Sequence, residues 1–261
     1  MAKSAWALYD RMIEGIPEDL KVIDYCLGVH WSCVVADCGG GVSYTCRGGA
    51  KYRPYDMRGA SLREAAALSK SWSFEEATLG IAALNAYYAH PDRALMRNAA
   101  FESDDSGESS RIGRKDAFAV FRPRIEEAGR DAKVVVVGHF PNVAQIAGYA
   151  DLTVLERNCQ DAFDTPDPAC EYVLPHADFL FTTGVTLINK TAPRLLQLAE
   201  SACSVMVGPS AVPCQALFDC GLDNISGRVV VDAQEALFSC RTGNRFGSSL
   251  RMFTLDAPAQ R

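Results

Sequence analysis

The apolar positions of this chain follow one pattern toward the C-terminus and another toward the N-terminus. Val134 to Val137 are four β-branched apolar residues in a row, with Gly138 directly behind them. A run that short, without polar alternation, reads as a strand buried on both faces. Pro141 then suits the first turn of a helix, where its missing N–H would be unpaired anyway. Val143, Ile146 and Ala147 continue at helical spacing as far as Tyr149. Strand, tight turn and helix make the first βα unit of a parallel sheet, and ligands of such sheets sit above that turn. The pattern repeats: strand 152–155 precedes an irregular segment, 157–175, and strand 178–182 precedes helical material through 201. Strand 204–207 precedes helix 212–220, and strand 228–231 precedes helix 232–240. A last strand, 249–255, is expected antiparallel at the edge. Residues 116–128 read as a helix with Phe118, Phe121 and Ile125 inward, interrupted at Pro123. Alternating strands and helices imply a doubly wound, mostly parallel sheet with right-handed crossovers.

The first hundred residues alternate differently. Trp6, Tyr9, Met12, Ile13 and Ile16 form a helical stripe within residues 1–16. Residues 21–29, 30–37 and 42–46 read as three strands, with Gly39-Gly40-Gly41 as the turn between the last two. A polar loop runs through Arg58. Ser61 is placed to cap a helix over 62–69, with Glu64 completing a capping box, and Ser73 with Glu76 repeats the arrangement for a helix through Tyr88. Ala77, Leu79, Ile81, Leu84 and Tyr88 are its apolar set. Antiparallel strands followed by helices make a small α+β unit. Residues 102–111, ESDDSGESSR, are acidic and serine-rich, and read as a surface linker. The fold class is therefore α/β: a small α+β domain, 1–110, followed by a doubly wound, mostly parallel domain, 111–261.

Composition narrows the partners. A formal charge of −6 and a pI near 5.3 argue against a nucleic-acid partner, whose phosphates require a basic footprint. No apolar run approaches membrane-spanning length, and the N-terminal stretch lacks the apolar core of a signal peptide, so a cytoplasmic location is expected. The ten cysteines contain no C-x-x-C, and His30, His90, His139 and His176 form no H-x-x-x-H. In a reducing compartment such cysteines behave mostly as small buried hydrophobes.

Candidate chemistry lies at the strand ends, which are polar or glycine-rich while their strands are apolar. They are Gly138, His139 and Phe140 after the first strand, Glu156, Arg157 and Asn158 after the second, Thr182, Thr183 and Gly184 after the third, and Gly208, Pro209 and Ser210 after the fourth. Glu156 stands near the spacing of about 20 residues from Gly138 at which nucleoside-binding folds place an acceptor for ribose hydroxyls. The plainer alternative is a surface ion pair with Arg157. The dinucleotide fingerprint fails, because Phe140 and Val143 occupy the positions of its later glycines. His139 is open to three roles: general acid or base, metal ligand, or turn residue. Thr183, Thr186 and Asn189 offer donors to an anionic group, with Lys190 as countercharge; the alternative is ordinary capping by Thr191 ahead of Pro193. Ser210 and Asp232 also suit helix caps. No G-x-S-x-G, Walker loop or H-E-x-x-H occurs.

The stretches VVVVGHFPNV, LTVLERN, PDPACEYVLPHADFLFTTGVTLINKT and VMVGPSAVP, together with SWSFEEATLGIAALNAYY, resemble a bacterial and archaeal family called "putative heavy-metal chelation", a domain of unknown function. The resemblance implies an enolase-N-terminal-like domain followed by a Rossmann-like domain, with a cleft between them. It also implies a role around metal chelators, such as binding and processing a siderophore-, flavin- or pterin-like molecule. On that footing Glu156 is expected as acceptor or general base and His139 as acid, base or ligand contact. Gly138, Phe140, Asn158, Thr183, Gly184, Thr186, Asn189, Lys190, Pro209 and Ser210 are expected to contact the small-molecule ligand, with Asn85 or Glu75 reaching in from the first domain. Two further readings stand beside this one: a non-catalytic carrier of a metal–chelate complex, and a methyltransferase using S-adenosylmethionine. Cofactor, metal and oligomeric state are left open, a homodimer included.

Overall fold

The computed structural model of the chain describes residues 4–102, 116–141 and 143–259. The acidic segment read as a linker lies outside the described residues, Glu102 excepted.

The first half consists of α1 (Ala7–Glu14), β1 (Val22–Leu27), β2 (Trp31–Ala36), β3 (Gly39–Tyr44), α2 (Leu62–Ala67) and α3 (Phe74–Tyr88). The strands form an antiparallel sheet in sequential order. Tyr9, Met12 and Ile16 of the predicted stripe are fully buried. Ser61 and Glu64 form the reciprocal capping box at α2. At α3 only half of that arrangement forms. The Ser73 hydroxyl accepts from the Glu76 N–H, but the Glu76 carboxylate turns to the Arg53 N–H and the Ser71 hydroxyl instead.

The three glycines do not make the hairpin turn. They pair with Ala36, Val35 and Val34 as part of β3, which leaves Asp37 and Cys38 as the turn. Gly39 takes a positive φ of 141° behind that turn, Gly40 lies against Val230 and Ala233, and Gly41 allows the closest approach. A Cβ on Gly41 would stand 2.1 Å from the Ala86 nitrogen and 2.2 Å from the Ala82 carbonyl oxygen, so α3 lies directly on the strand.

The second half contains α4 (Ala117–Ala128), β5 (Lys133–Val137), β6 (Asp151–Glu156), β7 (Asp164–Pro166), α5 (Cys170–Val173), β8 (Phe179–Thr183), α6 (Val185–Ile188), α7 (Ala192–Leu198), β9 (Cys203–Val207), α8 (Gln215–Phe218), β10 (Asn224–Val230), α9 (Ala233–Thr242) and β11 (Leu250–Asp256). With β4 (Ala100–Phe101) they build an eight-stranded sheet in the order β4-β11-β10-β9-β8-β5-β6-β7. From β7 to β10 every neighbouring pair is parallel. The chain leaves β5 toward β6 and β7 on one side, then crosses back to β8, β9 and β10 on the other. Beyond β5 and β8 the connections therefore diverge, and a crevice opens at their carboxyl ends.

Val134 and Val136 pack in a cluster with Phe121 and Ile125 of α4. Val135 and Val137 pack on the other face, in a cluster that also holds Met12, Ile81 and Leu84 of the first half. The two-residue period of a strand thus places β5 in both layers.

Four expectations need correction. The helix expected at 141–149 is a 3₁₀ segment, Val143–Gly148. The crossover from Val137 to Asp151 is short, and a rise of about 2.0 Å per residue spans it better than the α-helical 1.5 Å. Helix α4 runs through Pro123 unbroken; Ala119, whose carbonyl loses its donor there, is exposed to solvent. The irregular stretch 157–175 contains β7 and α5. Strand β11 is antiparallel to β10 as expected but is not the edge, because β4 pairs outside it.

Candidate functional site

At the divergence of β5 and β8 lies a pocket of about 240 Å³. Its floor is made by strand ends: Val137 and Gly138 after β5, Leu155 and Glu156 of β6, and Thr183 of β8. Its walls are Thr186 and Asn189, then Thr191, Arg194 and Leu195, with Arg157, Asp167 and Cys170 opposite. Gly138 has φ of +96°, and a Cβ there would stand 3.0 Å from Thr183 Cγ2, so the floor is closed by bare backbone.

Hydrogen bonds hold these walls. Glu156 Oε1 accepts from the Arg157 N–H at 2.8 Å. Arg157 Nε donates to Asp167 Oδ2 at 2.9 Å, and Arg194 Nε donates to Glu171 Oε1 at 2.8 Å. Both guanidiniums at the mouth therefore carry their own acid, and Arg194 holds the Glu171 carboxyl below its ordinary range. The Thr186 hydroxyl donates to the Thr183 carbonyl at 2.7 Å. Asn189 Oδ1 accepts from the Thr191 hydroxyl at 2.6 Å and its N–H at 3.1 Å.

Of the residues expected from sequence, Gly138, Glu156, Thr183, Thr186 and Asn189 meet in this pocket. The others go elsewhere. His139 turns to Asp161 and Asp164. Phe140 packs edge-on against Phe118, with ring centroids 5.4 Å apart. Asn158 is exposed, and Gly184 is buried against the backbone of Ser210 and Ala211.

Lys190, Pro209 and Ser210 stitch the two halves together. Lys190 Nζ donates to the Ser71 and Ile188 carbonyls and lies 5.8 Å from the Trp72 ring centroid. Burial pushes its pKa down to about 8. The Pro209 carbonyl accepts from Asn85 Nδ2 at 3.0 Å, which also donates to the Val42 carbonyl at 2.9 Å. The Ser210 hydroxyl, expected as a helix cap, lies 3.0 Å from that of Ser43 and accepts from the Tyr44 N–H at 2.9 Å. Glu75 binds locally, to the Gly48 N–H and the Ser73 hydroxyl.

Every described residue lining the pocket falls between Val137 and Leu195, so the first half does not roof it. It comes close at one corner. The Cys46 thiol is pushed up to about 11 by burial, which outweighs the opposing fields of Arg157 and Lys190. A larger depression of about 470 Å³ lies between the β1–β2 turn and the end of α9, but no carboxylate lines it.

Arg194, Asp167 and Cys170 were not expected in the site, and Thr191 was expected only at the end of the Thr183–Thr191 candidate stretch or as a helix cap, a cap bond its side chain does not make. All four belong to segments whose packing against the strand ends has no local sequence signal. Asp161 and Asp164, missed as well, carried one available sign: a D-x-x-D spacing just ahead of Pro166 and Pro168.

Comparison with known proteins agrees with this architecture. The family model DUF364, described as "Putative heavy-metal chelation", matches residues 123–254. The chain belongs to the DUF364 family. A second model with the same description, DUF4213, matches residues 9–88. The DUF364 chain is 28% identical over 252 residues to an uncharacterized protein of Methanocaldococcus jannaschii, covering 90% of this chain and 87% of that one. It resembles the crystal structure of a DUF364-family protein of unknown function from Desulfitobacterium hafniense DCB-2, with a TM-score of 0.84 and 31% identity, over 97% of this chain and 99% of that one. A DUF364-family structure from Pyrococcus horikoshii, at 21% identity, shares the fold with a TM-score of 0.76 over 96% and 98% of the two chains. No helix among the described residues is long and apolar enough to cross a membrane.

Proposed function

We propose that this DUF364 protein binds a small, hydroxyl-bearing, metal-chelating molecule in the pocket between β5, β6 and β8. The observation that carries the reading is the convergence of Gly138, Glu156, Thr183, Thr186 and Asn189 on one cavity at the crevice where the strand connections diverge. Glu156 is the acceptor for ligand hydroxyls. Because Arg157 and Arg194 are each paired with an acid, the lining favours a polar but weakly charged group over a phosphate. A volume of about 240 Å³ is small for a ligand pocket, enough for a single pterin-sized ring system with the rest of the molecule in solvent. The order of the parallel strands supports a Rossmann-like reading of the second half, and the first half is read as its enolase-N-terminal-like companion, with the boundary near residue 110.

Between processing and carriage, the geometry favours carriage. An acid–base pair of His139 and Glu156 would need both in the pocket, but His139 does not line it. The Cys170 thiol there is pushed up by burial, which works against its use as a nucleophile. The test is calorimetric titration with a pterin, flavin mononucleotide and a catecholate chelate. Glu156→Ala is expected to abolish binding of whichever compound the wild type takes up, while leaving the melting temperature nearly unchanged. Unaltered affinity in that variant removes Glu156 from the site. Chemical change of the bound compound on incubation would restore the enzyme reading.

A further inference from the structure

Next to Gly138 in the chain, His139 meets two aspartates. His139 follows the end of β5, Asp161 lies in the β6–β7 connection, and Asp164 opens β7. One donor atom from each lies within 4.8 Å of the others. His139 Nε2 is 3.1 Å from Asp161 Oδ2, and His139 Nδ1 is 3.9 Å from Asp164 Oδ1.

Asp164 is the decisive residue. Its side chain has no exposed surface, whereas those of His139 and Asp161 are 46% and 63% exposed. Asp164 Oδ2 accepts from the N–H groups of Gln160 at 2.7 Å and Asp161 at 2.8 Å, which fix the carboxylate in place. Asp164 Oδ1 is buried and has no hydrogen-bond partner among the described residues. A buried, unpaired carboxylate oxygen is costly unless something electropositive completes it, and this one points at the cluster.

We propose that His139, Asp161 and Asp164 form a binding site for a first-row divalent cation. One imidazole and two carboxylates carry the charge to neutralise a 2+ ion. An N,O donor set without thiolate suits Zn²⁺ and its neighbours better than Ca²⁺, which takes oxygen ligands only. Ligands at about 2.1 Å from a tetrahedral Zn²⁺ lie about 3.4 Å apart. His139 Nε2 and Asp161 Oδ2, 3.1 Å apart, are close to that separation, and these two exposed side chains move so that the same Nε2 and the fixed Asp164 share the ion. Three protein ligands leave a coordination position open toward solvent, where a chelating molecule can share the ion. This site is independent of the pocket reading above, since none of its three ligands lines that pocket.

Calorimetric titration of the chelator-stripped, full-length protein with ZnCl₂ tests the assignment. One Zn²⁺ per chain is expected. Asp164→Asn, which keeps the shape but removes the charge, should weaken binding by about 10-fold or more, and so should His139→Gln. Cys159→Ser, at the exposed neighbouring thiol, should leave it unchanged. Circular dichroism reports whether Asp164→Asn folds; if it does not, the exposed His139→Gln variant decides. Zn²⁺ uptake that is equal in wild type and His139→Gln, or absent from the wild type at about 100-fold the affinity scale of a micromolar site, overturns the proposal. A thiolate-to-metal charge-transfer band with Co²⁺ would do so as well, by placing the ion on cysteine.

Discussion

Gly41→Ala is the sharpest test of how the first half is built. The added Cβ would meet the Ala86 nitrogen at 2.1 Å, the Ala82 carbonyl oxygen at 2.2 Å and the Asn85 carbonyl carbon at 2.5 Å. Reaching an ordinary contact near 3.4 Å requires α3 to retreat by about 1.3 Å. All three obstacles are helix backbone, so no rotamer change relieves the overlap. Overpacking a core typically costs ~1–3 kcal/mol, and a rigid obstacle belongs at the upper end. Against this, alanine reduces the freedom of the unfolded chain, which returns ~0.4–1 kcal/mol. A net loss of ~2–3 kcal/mol is expected, a large part of a typical domain's stability. The retreat would also carry Asn85 away from the Pro209 carbonyl, loosening the seam. The assay is urea unfolding, read as a lower midpoint at constant slope. Gly148→Ala is the control: a Cβ there would have nothing within 4 Å, and stability should stay within ~1 kcal/mol of wild type. A Gly41→Ala protein within ~0.5 kcal/mol of wild type would refute the close-packing argument.

Three further outcomes follow from the geometry. Tyr9→Phe removes the buried hydroxyl that donates to the Leu187 carbonyl at 2.8 Å, and chemical denaturation should show a loss of ~1–2 kcal/mol. Because burial lowers the Lys190 pKa from 10.5 to about 8, the unfolded chain binds the extra proton between those values. Stability from this group therefore rises with pH across that window, and the melting temperature of wild type relative to Lys190→Met should climb from pH 8 to pH 10. Brief alkylation followed by mass spectrometry should label the exposed Cys159 well before the buried Cys33, Cys214 and Cys240, a difference that unfolding should abolish.

The parallel sheet was legible because its strands are short and uniformly apolar. Val134 to Val137 could only be satisfied by cover on both faces, and so they are. Local patterning failed where tertiary distance decides conformation. Residues 143–148 have helical spacing, but the span they must cross draws them into 3₁₀ form. The Gly39–Gly41 run looks like a turn because glycine permits one, whereas Gly41 is required by a helix whose contacting residues lie more than forty positions downstream. The site divides in the same way. Glu156, Thr183 and Gly138 were visible as polar residues capping apolar strands. Lys190, Pro209 and Ser210 carried the same sign, but the partners that claim them come from the first half, and no spacing along the chain reports that pairing. Strand β7 was missed because three residues including a proline have no period to read.

Strand β4 has a consequence for anyone dividing this chain. Only Ala100 and Phe101 form it, yet they cover Thr254 and Phe253 on the outer side of β11. The opposite margin of the sheet is protected by its brevity and by Pro166. A fragment beginning after residue 115 would thus bare Phe253 and Thr254 and leave the outer side of β11 without a partner strand, a template for strand addition. Such a fragment should self-associate, both through that margin and through the apolar face of the sheet that Met12, Ile81 and Leu84 cover in the intact chain.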